Sequence, residues 1–259
     1  SKKNNPVIII PSRLGSTRLP NKALADINGL TMIERVILQC KKTQISDILV
    51  ATDSQEIANY AKKHKVISVM TDSNIPTGTD RIYQALITID PKLTKYDFII
   101  NLQGDVPDID PEIILKTLNI LKSIPQADIA TACCIASKED LEKSSVVKVA
   151  LSFENNFINS YNLKQKQDLD KIAKAVYFSR NKIPYNAGEI YEHIGIYAYR
   201  TKSLLKFVKL KQTMLEKQES LEQLRAIENS MNIFAFVTNN KPISVDVISD
   251  LENARKIIK

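Results

Sequence analysis

The chain has 259 residues, 44% of them hydrophobic, which suits one α/β domain, or a large domain with a small appendage, around an ordinary core. Its net charge of +7 comes from scattered Lys and Arg, Trp is absent and aromatic residues make up 6%, so no base-stacking platform for nucleic acid is expected. No run is long and apolar enough to cross a bilayer, Ser1 to Asn5 are too short and wrongly built for a secretory leader, and three cysteines frame neither a disulfide scaffold nor a zinc site, so a cytoplasmic setting without membrane insertion is expected.

The apolar run Val7 to Ile10, closed by Pro11, predicts a buried strand, and Met32, Ile33, Val36 and Ile37 then repeat at helical spacing in a helix over Thr31 to Cys40. The alternation recurs. Ile48 to Ala51 predicts a second strand, followed by a helix over Ser54 to Lys63 with Ile57, Ala58 and Ala61 on one face. Val66 to Met70 predicts a third strand, leading past Gly78 to a helix around Arg81 to Ile89. Phe98 to Leu102 predicts a fourth, leading to a helix over Pro111 to Leu121 that Asp110 can cap. Strands apolar on both faces that alternate with helices predict an α/β fold, with a mostly parallel central sheet and helices on both faces. Such sheets bind ligands beyond the carboxyl ends of their strands, so the loops at Pro11 to Leu24, Asp53, Pro76 to Arg81 and Gln103 to Pro107 are expected to face one crevice.

Beyond about residue 128 the texture changes to shorter strands, predicted at Ile129 to Ile135, Val146 to Phe153 and Ala173 to Phe178. The polar stretch Asn155 to Asp170 reads as a hairpin or mobile loop. A strand over Gly195 to Tyr199, helices over Thr201 to Leu210 and about Ser220 to Glu228, and a strand over Phe234 to Val237 follow. An acidic loop at Val245 to Asp250 and a helix over Leu251 to Ile258, with Asp250 as its cap, close the chain.

Directly after the first strand, Ser12 to Lys22 combines Gly15, three hydroxyl residues and the cations Arg13, Arg18 and Lys22, a composition that can receive a triphosphate or simply form a solvated basic loop. Neither the Walker nor the Rossmann glycine spacing is present, so the usual ATP and NAD readings do not hold. Gln103-Gly104-Asp105 follows the fourth strand; Gly104 permits close approach of a ligand, and Asp105 can hold Mg²⁺ or serve as a turn residue. Asp246 can supply a second magnesium ligand if the fold returns it to Asp105. Thr77 to Arg81, with Thr79 at its centre, suits either nucleotide contact or helix capping. His193 precedes an apolar strand, where it can be functional or packed beside Glu192, and His64 is expected to be a solvated surface group.

These residues stand in a recognisable order. Ile10 to Arg13, Thr17 to Lys22, Val50 to Asp53, Thr77 to Arg81, Gln103 to Asp105, Tyr177 to Arg180 with Ile183-Pro184, His193 to Tyr197 and Leu221 to Arg225 together resemble the 3-deoxy-manno-octulosonate cytidylyltransferase family, colinearly across almost the whole chain. The resemblance implies one nucleotidyltransferase domain over residues 1–259, in which about 129–200 include sugar-pocket and dimerisation elements, and a homodimer. It implies transfer of CMP from CTP to the acid sugar Kdo for lipopolysaccharide biosynthesis, with Mg²⁺ held by Asp105 and Asp246. By the same resemblance, Arg13 and Lys22 meet the CTP phosphates beside Ser12 and Arg18, while Thr79, Gln103 and Gly104 lie by the nucleotide. Arg180, His193, Glu222 and Gln223 line the sugar pocket. The chain departs from the family pattern at Asn21, Ala23, Val106 and Glu192 and in the Ser244 to Ser249 loop. Rival readings are a cytidylyltransferase for sialic acid or an amino-Kdo, a non-catalytic nucleotide-binding protein, and an RNA-binding module.

Overall fold

A computed structural model describes residues 4–153 and 171–259, so the stretch Asn155 to Asp170 lies outside the described residues. The chain forms two compact units, one running up to Ile114 and resuming at Pro242–Lys259, the other spanning Leu115–Lys241.

In the first unit, β1 (Pro6–Ser12) is followed by a short 3-10 turn at Lys22–Leu24, the strands β2 (Asp26–Ile27) and β3 (Leu30–Thr31), and α1 (Met32–Lys42). Then come β4 (Asp47–Thr52), α2 (Gln55–Lys63), β5 (Ile67–Met70), α3 (Gly78–Ile89) and β6 (Phe98–Leu102). The order β5-β4-β1-β6 is parallel throughout. Val7 to Ile10 are fully buried, as a strand covered on both faces requires. The chain moves outward from β1 to β4 and β5, then crosses back to β6 on the other side of β1. Right-handed crossovers therefore put α1 and α2 on one face and α3 on the other, and the direction reverses between β1 and β6. A crevice opens at such a reversal, beyond Ser12 and Leu102.

Local chemistry sets the helix starts. Thr31 and Glu34 form a reciprocal capping box: the Thr31 hydroxyl accepts from Glu34 N–H at 3.3 Å, and Glu34 Oε2 accepts from Thr31 N–H at 2.8 Å. Ser54 caps α2 and Thr77 caps α3, whose Asp80 N–H donates to Thr77 Oγ1 at 3.0 Å. The hydroxyl of Thr77 is thus a cap. His64 is not a solvated group: its Nε2 lies 2.9 Å from buried Glu34, which also receives Lys63 Nζ at 2.7 Å. Burial would raise the Glu34 carboxyl, but hydrogen bonds from Lys63, the Thr31 backbone, His64 and the Thr31 hydroxyl outweigh it and hold the pKa at about 2. The pairing of β2 with β3 is an element that hydrophobic periodicity does not reveal, turned at Asn28 and Gly29 with φ of 51° and 95°.

The second unit takes most of α4 (Pro111–Ser123), then β7 (Ile129–Ile135), β8 (Lys148–Ser152), β9 (Ile172–Ser179) and β10 (Tyr191–Arg200). These are followed by α5 (Thr201–Lys209), α6 (Met214–Glu219), α7 (Gln223–Glu228) and β11 (Ile233–Val237). Its strands run in the order β10-β7-β11-β9-β8, parallel only between β11 and β7 and antiparallel in the other pairs. The mostly parallel sheet expected from the sequence therefore holds for the first unit, whereas this part is mixed. β8 also pairs with the start of β10, so the strands curl back on themselves. The helix expected over about Ser220 to Glu228 starts at Gln223, and α6 ahead of it is an element the sequence reading did not include, ended by Ser220 in a left-handed conformation with φ of 54°.

At the end of the chain α8 (Ile248–Ile257) belongs to the first unit. It starts earlier than predicted, and Asp250 lies in its first turn, where Oδ2 accepts from Asp246 N–H at 2.9 Å and Val247 N–H at 3.1 Å. Leu19, Ile27, Met32, Val245, Leu251 and Ala254 form one apolar cluster. That cluster anchors the loop after β1 and the segment before α8 to the same spot.

Candidate active site

Leu19 and Val245 are buried within this cluster, and each has a charged residue close by in sequence. Val245 N–H also donates to Asp105 O at 2.9 Å. The consequence is a meeting of residues 224 apart in sequence: Lys22 Nζ lies 3.5 Å from Asp246 Oδ1 and 3.6 Å from Asp105 Oδ2, and Arg18 Nη1 lies 3.2 Å from Asp246 Oδ2. Burial raises the Asp105 pKa, the Lys22 charge opposes this, and the Asp246 charge reinforces it.

Lys22, Gly104 and Asp105 line a cavity of about 160 Å³ together with Ser12, Arg13, Gly15 and Gln103. Gly104 comes close to β1: a Cβ there would stand 3.4 Å from Pro11 O and 3.6 Å from Ser12 Oγ. A second cavity, of about 230 Å³, is lined by Pro11, Arg13, Pro76, Thr77, Gly78, Arg81 and Gln103 among others. Pro11, Arg13 and Gln103 border both. The arrangement offers cations and backbone to a polyphosphate beside a chamber bounded by the cap of α3. Thr79 is buried in the first turn of that helix and is absent from both linings.

The two carboxylates suit Mg²⁺. Both converge on one cationic centre, Lys22 Nζ, and both offer hard oxygen donors. Among the described residues no group of three or more His, Cys, Asp or Glu could hold a metal ion.

In the second unit, Thr131 Oγ1 donates to Ile196 O at 2.6 Å and lies 2.8 Å from His193 Nε2. The single hydroxyl proton is committed to the carbonyl, so Nε2 carries the imidazole proton and Nδ1 keeps its lone pair. Burial lowers the His193 pKa to about 4, so the ring is neutral near pH 7. It packs edge-on to Phe178 and tilted against Tyr197, whose pKa is raised by burial and by the charges of Tyr199 and Glu222. Gln223 is buried at the start of α7. The Arg180 guanidinium donates to the carbonyls of Glu219, Ser144 and Ser220 at 2.8 to 3.1 Å, so three of its five N–H groups bind backbone.

A family described as Cytidylyltransferase matches residues 7–233. The 3-deoxy-manno-octulosonate cytidylyltransferase of Rickettsia prowazekii is 46% identical over 258 residues, covering 100% of this chain and 97% of its own, and that of Rickettsia typhi is also 46% identical, covering 100% and 99%. The chain belongs to the cytidylyltransferase family. A solved structure of CMP:2-keto-3-deoxy-manno-octonic acid synthetase complexed with CTP is similar to this cytidylyltransferase with a TM-score of 0.83 at 32% identity, covering 98% of each chain. A 4-diphosphocytidyl-2C-methyl-D-erythritol synthase from Anaerococcus prevotii shares the fold alone, with a TM-score of 0.61 at 13% identity.

The departures from the family pattern can be located in this cytidylyltransferase. Val106 is buried at 4% exposure, and Asn21 takes a left-handed conformation with φ of 53° at the start of the turn that carries Lys22. Glu192 is buried with Oε1 2.7 Å from Lys241 Nζ, which also pairs with Asp140 at 2.7 Å. The altered loop around Asp246 is held by Asp250. Two residues escaped assignment from sequence. Arg81, within a stretch that suits either nucleotide contact or helix capping, borders the second cavity, and Asp53 accepts a hydrogen bond from the loop after β1. Each carried a sequence signal: both stand in stretches that resemble the family, Asp53 just beyond a strand and Arg81 at a helix start.

Proposed function

We propose that this cytidylyltransferase transfers CMP from CTP to Kdo, giving CMP-Kdo and pyrophosphate for lipopolysaccharide biosynthesis. The observation that carries the reading is the convergence of Lys22, Arg18, Asp105 and Asp246 beyond the β1 and β6 ends, in a chain similar over its full length to 3-deoxy-manno-octulosonate cytidylyltransferases. In this reaction the anomeric hydroxyl oxygen at C2 of Kdo forms a bond to the α-phosphorus and gives up its proton to solvent, and the bond from that phosphorus to the bridging oxygen breaks as pyrophosphate leaves.

The residues act by positioning and by charge, the main requirements of phosphoryl chemistry. Arg13, Arg18 and Lys22 hold the triphosphate and oppose the charge on departing pyrophosphate. Ser12 and Gly104 let the phosphates lie against backbone, while Gln103 and Thr79 are assigned to the nucleotide. Arg180, His193, Glu222 and Gln223 are assigned to the sugar acid. Neutral His193 has Nδ1 to accept a hydrogen bond from a sugar hydroxyl, and Arg180 has two N–H groups beyond its backbone bonds for a carboxylate. Mg²⁺ is proposed as cofactor on Asp105 and Asp246, where it would offset repulsion between phosphates and stabilise charge in transfer. A cytoplasmic homodimer is the proposed working form.

A coupled pyrophosphate assay with a panel of nucleoside triphosphates against Kdo, an amino-Kdo and sialic acid tests the proposal. Turnover with CTP and Kdo that stops on chelation and returns with Mg²⁺ is expected. A preference for another acid sugar refutes the acceptor, and full activity after chelation refutes the cofactor.

A further inference from the structure

Asp53 directly follows β4, and β4 pairs with β1 so that Thr52 stands opposite Ser12. The chain therefore leaves both strands at one edge of the sheet, into the cationic loop after β1 and into the cap of α2 after β4. Across that edge Asp53 Oδ1 accepts from Leu14 N–H at 2.9 Å. Leu14 directly follows Arg13, and this is the one side-chain hydrogen bond to the backbone of residues Arg13 to Arg18 among the described residues. The far end of the segment is pinned by Leu19 in the apolar cluster. Gly15, between these anchors, has open space where a Cβ would project, so neighbouring packing does not fix the loop there.

Charge points the same way. Arg13 and Arg81 border the cavity of about 230 Å³, and Arg81 is only 3% exposed. Its Nη1 donates to Thr71 Oγ1 and Asp72 O, which hold it in place. Burial lowers the Arg81 pKa, the Asp53 charge opposes this, and the Arg13 charge reinforces it. The charges of Asp53 and, less strongly, Asp72 thus oppose that of Arg13 at the Arg81 guanidinium, and Asp53 is absent from the linings of both cavities.

We infer that Asp53 is a positioning residue of the triphosphate site, which holds the loop through Leu14 N–H and offsets the repulsion between Arg13 and Arg81 without touching the nucleotide. The inference rests on the assignment of the Arg13 loop to the CTP phosphates. Asp53→Ala removes both actions, whereas Asp53→Asn keeps a carbonyl acceptor for Leu14 and removes the charge.

The test is calorimetric titration of each variant with CTP and with inorganic tripolyphosphate in Mg²⁺ buffer, alongside steady-state kinetics and thermal melts. A hydrogen bond to a charged group corresponds to about tenfold or more in affinity. Asp53→Ala is expected to weaken both ligands by about that factor and to raise KM for CTP alike, with KM for Kdo unchanged. Asp53→Asn is expected to recover most of the loss and to remain about threefold weaker than wild type. Unchanged affinity in Asp53→Ala overturns the inference, as does an equal rise in both KM values with a lowered Tm, the mark of a purely structural role. Should the alanine variant be insoluble, the asparagine variant decides, and wild-type affinity for tripolyphosphate there overturns the role. A wild-type protein that binds CTP without releasing pyrophosphate would sink the functional reading, while the titrations would still decide the part played by Asp53.

Discussion

Replacing Lys22 by Met separates what this ammonium does for the fold from what it does for CTP. Two unit charges at 3.5 to 3.6 Å attract by about 4 to 5 kcal/mol at an effective dielectric of ~20, before desolvation is counted. The Asp246 side chain is 43% exposed and that of Asp105 is 26% exposed, so water recovers much of this and the net effect on folding is about 1 to 2 kcal/mol. The substitution also leaves two carboxylates facing each other. Transition-state charge is a separate matter: loss of one preorganised group that stabilises it costs about 10²- to 10³-fold in rate. Lys22→Met is therefore expected to lower kcat/KM for CTP by at least ~100-fold, a kinetic effect of about 2.7 kcal/mol that exceeds its effect in urea denaturation. Adding Asp246→Asn removes the uncompensated repulsion, so the double variant should regain stability without regaining turnover. The reasoning fails if Lys22→Met keeps kcat/KM within about threefold of wild type, or if the double variant recovers activity together with stability.

The remaining predictions concern the supports of the site. Glu216 and Arg225 form a buried pair joining α6 to α7, with Arg225 Nε 2.9 Å from Glu216 Oε2, so Glu216→Ala is expected to cost about 3 to 5 kcal/mol in urea denaturation by removing the carboxylate that faces the buried guanidinium. Adding Arg225→Met against Phe207 should recover most of that, and no recovery would show that the charge is not what the alanine variant exposes. His193 has a folded pKa of about 4 against an ordinary 6.5, so its neutral form stabilises the fold above about pH 6.5 and the contribution is lost as pH falls toward 4. Between pH 7 and pH 5 the wild type should lose about 2 kcal/mol more stability than His193→Asn, and parallel stability curves would refute this. The Glu34 carboxylate, held at about 2 against 4.5, stabilises the fold above about pH 4.5 and loses that contribution, about 3 kcal/mol in all, as pH falls toward 2. Acid titration of Glu34→Gln should be correspondingly shallower, and an unchanged acid midpoint and slope would refute the pairing.

What could be read from the residues was what depends on short stretches of chain. The runs Val7 to Ile10 and Phe98 to Leu102 are buried on both faces, so apolar continuity alone located β1 and β6. Thr31, Ser54 and Thr77 lie beside the helices they cap, and Asp105 stands in the short loop just beyond β6, so their settings were legible locally. Elements that depend on one unusual backbone angle were harder: Ser220 carries no signal as strong as glycine for the break between α6 and α7. His64 looked like a surface residue because its partner, Glu34, is 30 positions away on another helix. The mixed pairing of the second unit is likewise a choice of partners, which strand composition does not specify.

By itself the sequence determined the βα alternation of the first unit, the cationic loop after the first strand, the carboxylate at the end of the fourth, and the resemblance to one family. The tertiary structure alone decided that Asp246 returns to Lys22 and Asp105, that Arg180 binds backbone carbonyls, and that Asp53 grips the loop at Leu14. The physical reason is range: apolar periodicity and capping act over a few residues, whereas Asp246 is placed by Val245 packing with Leu19 in one core, a contact that exists only once the distant segments have met.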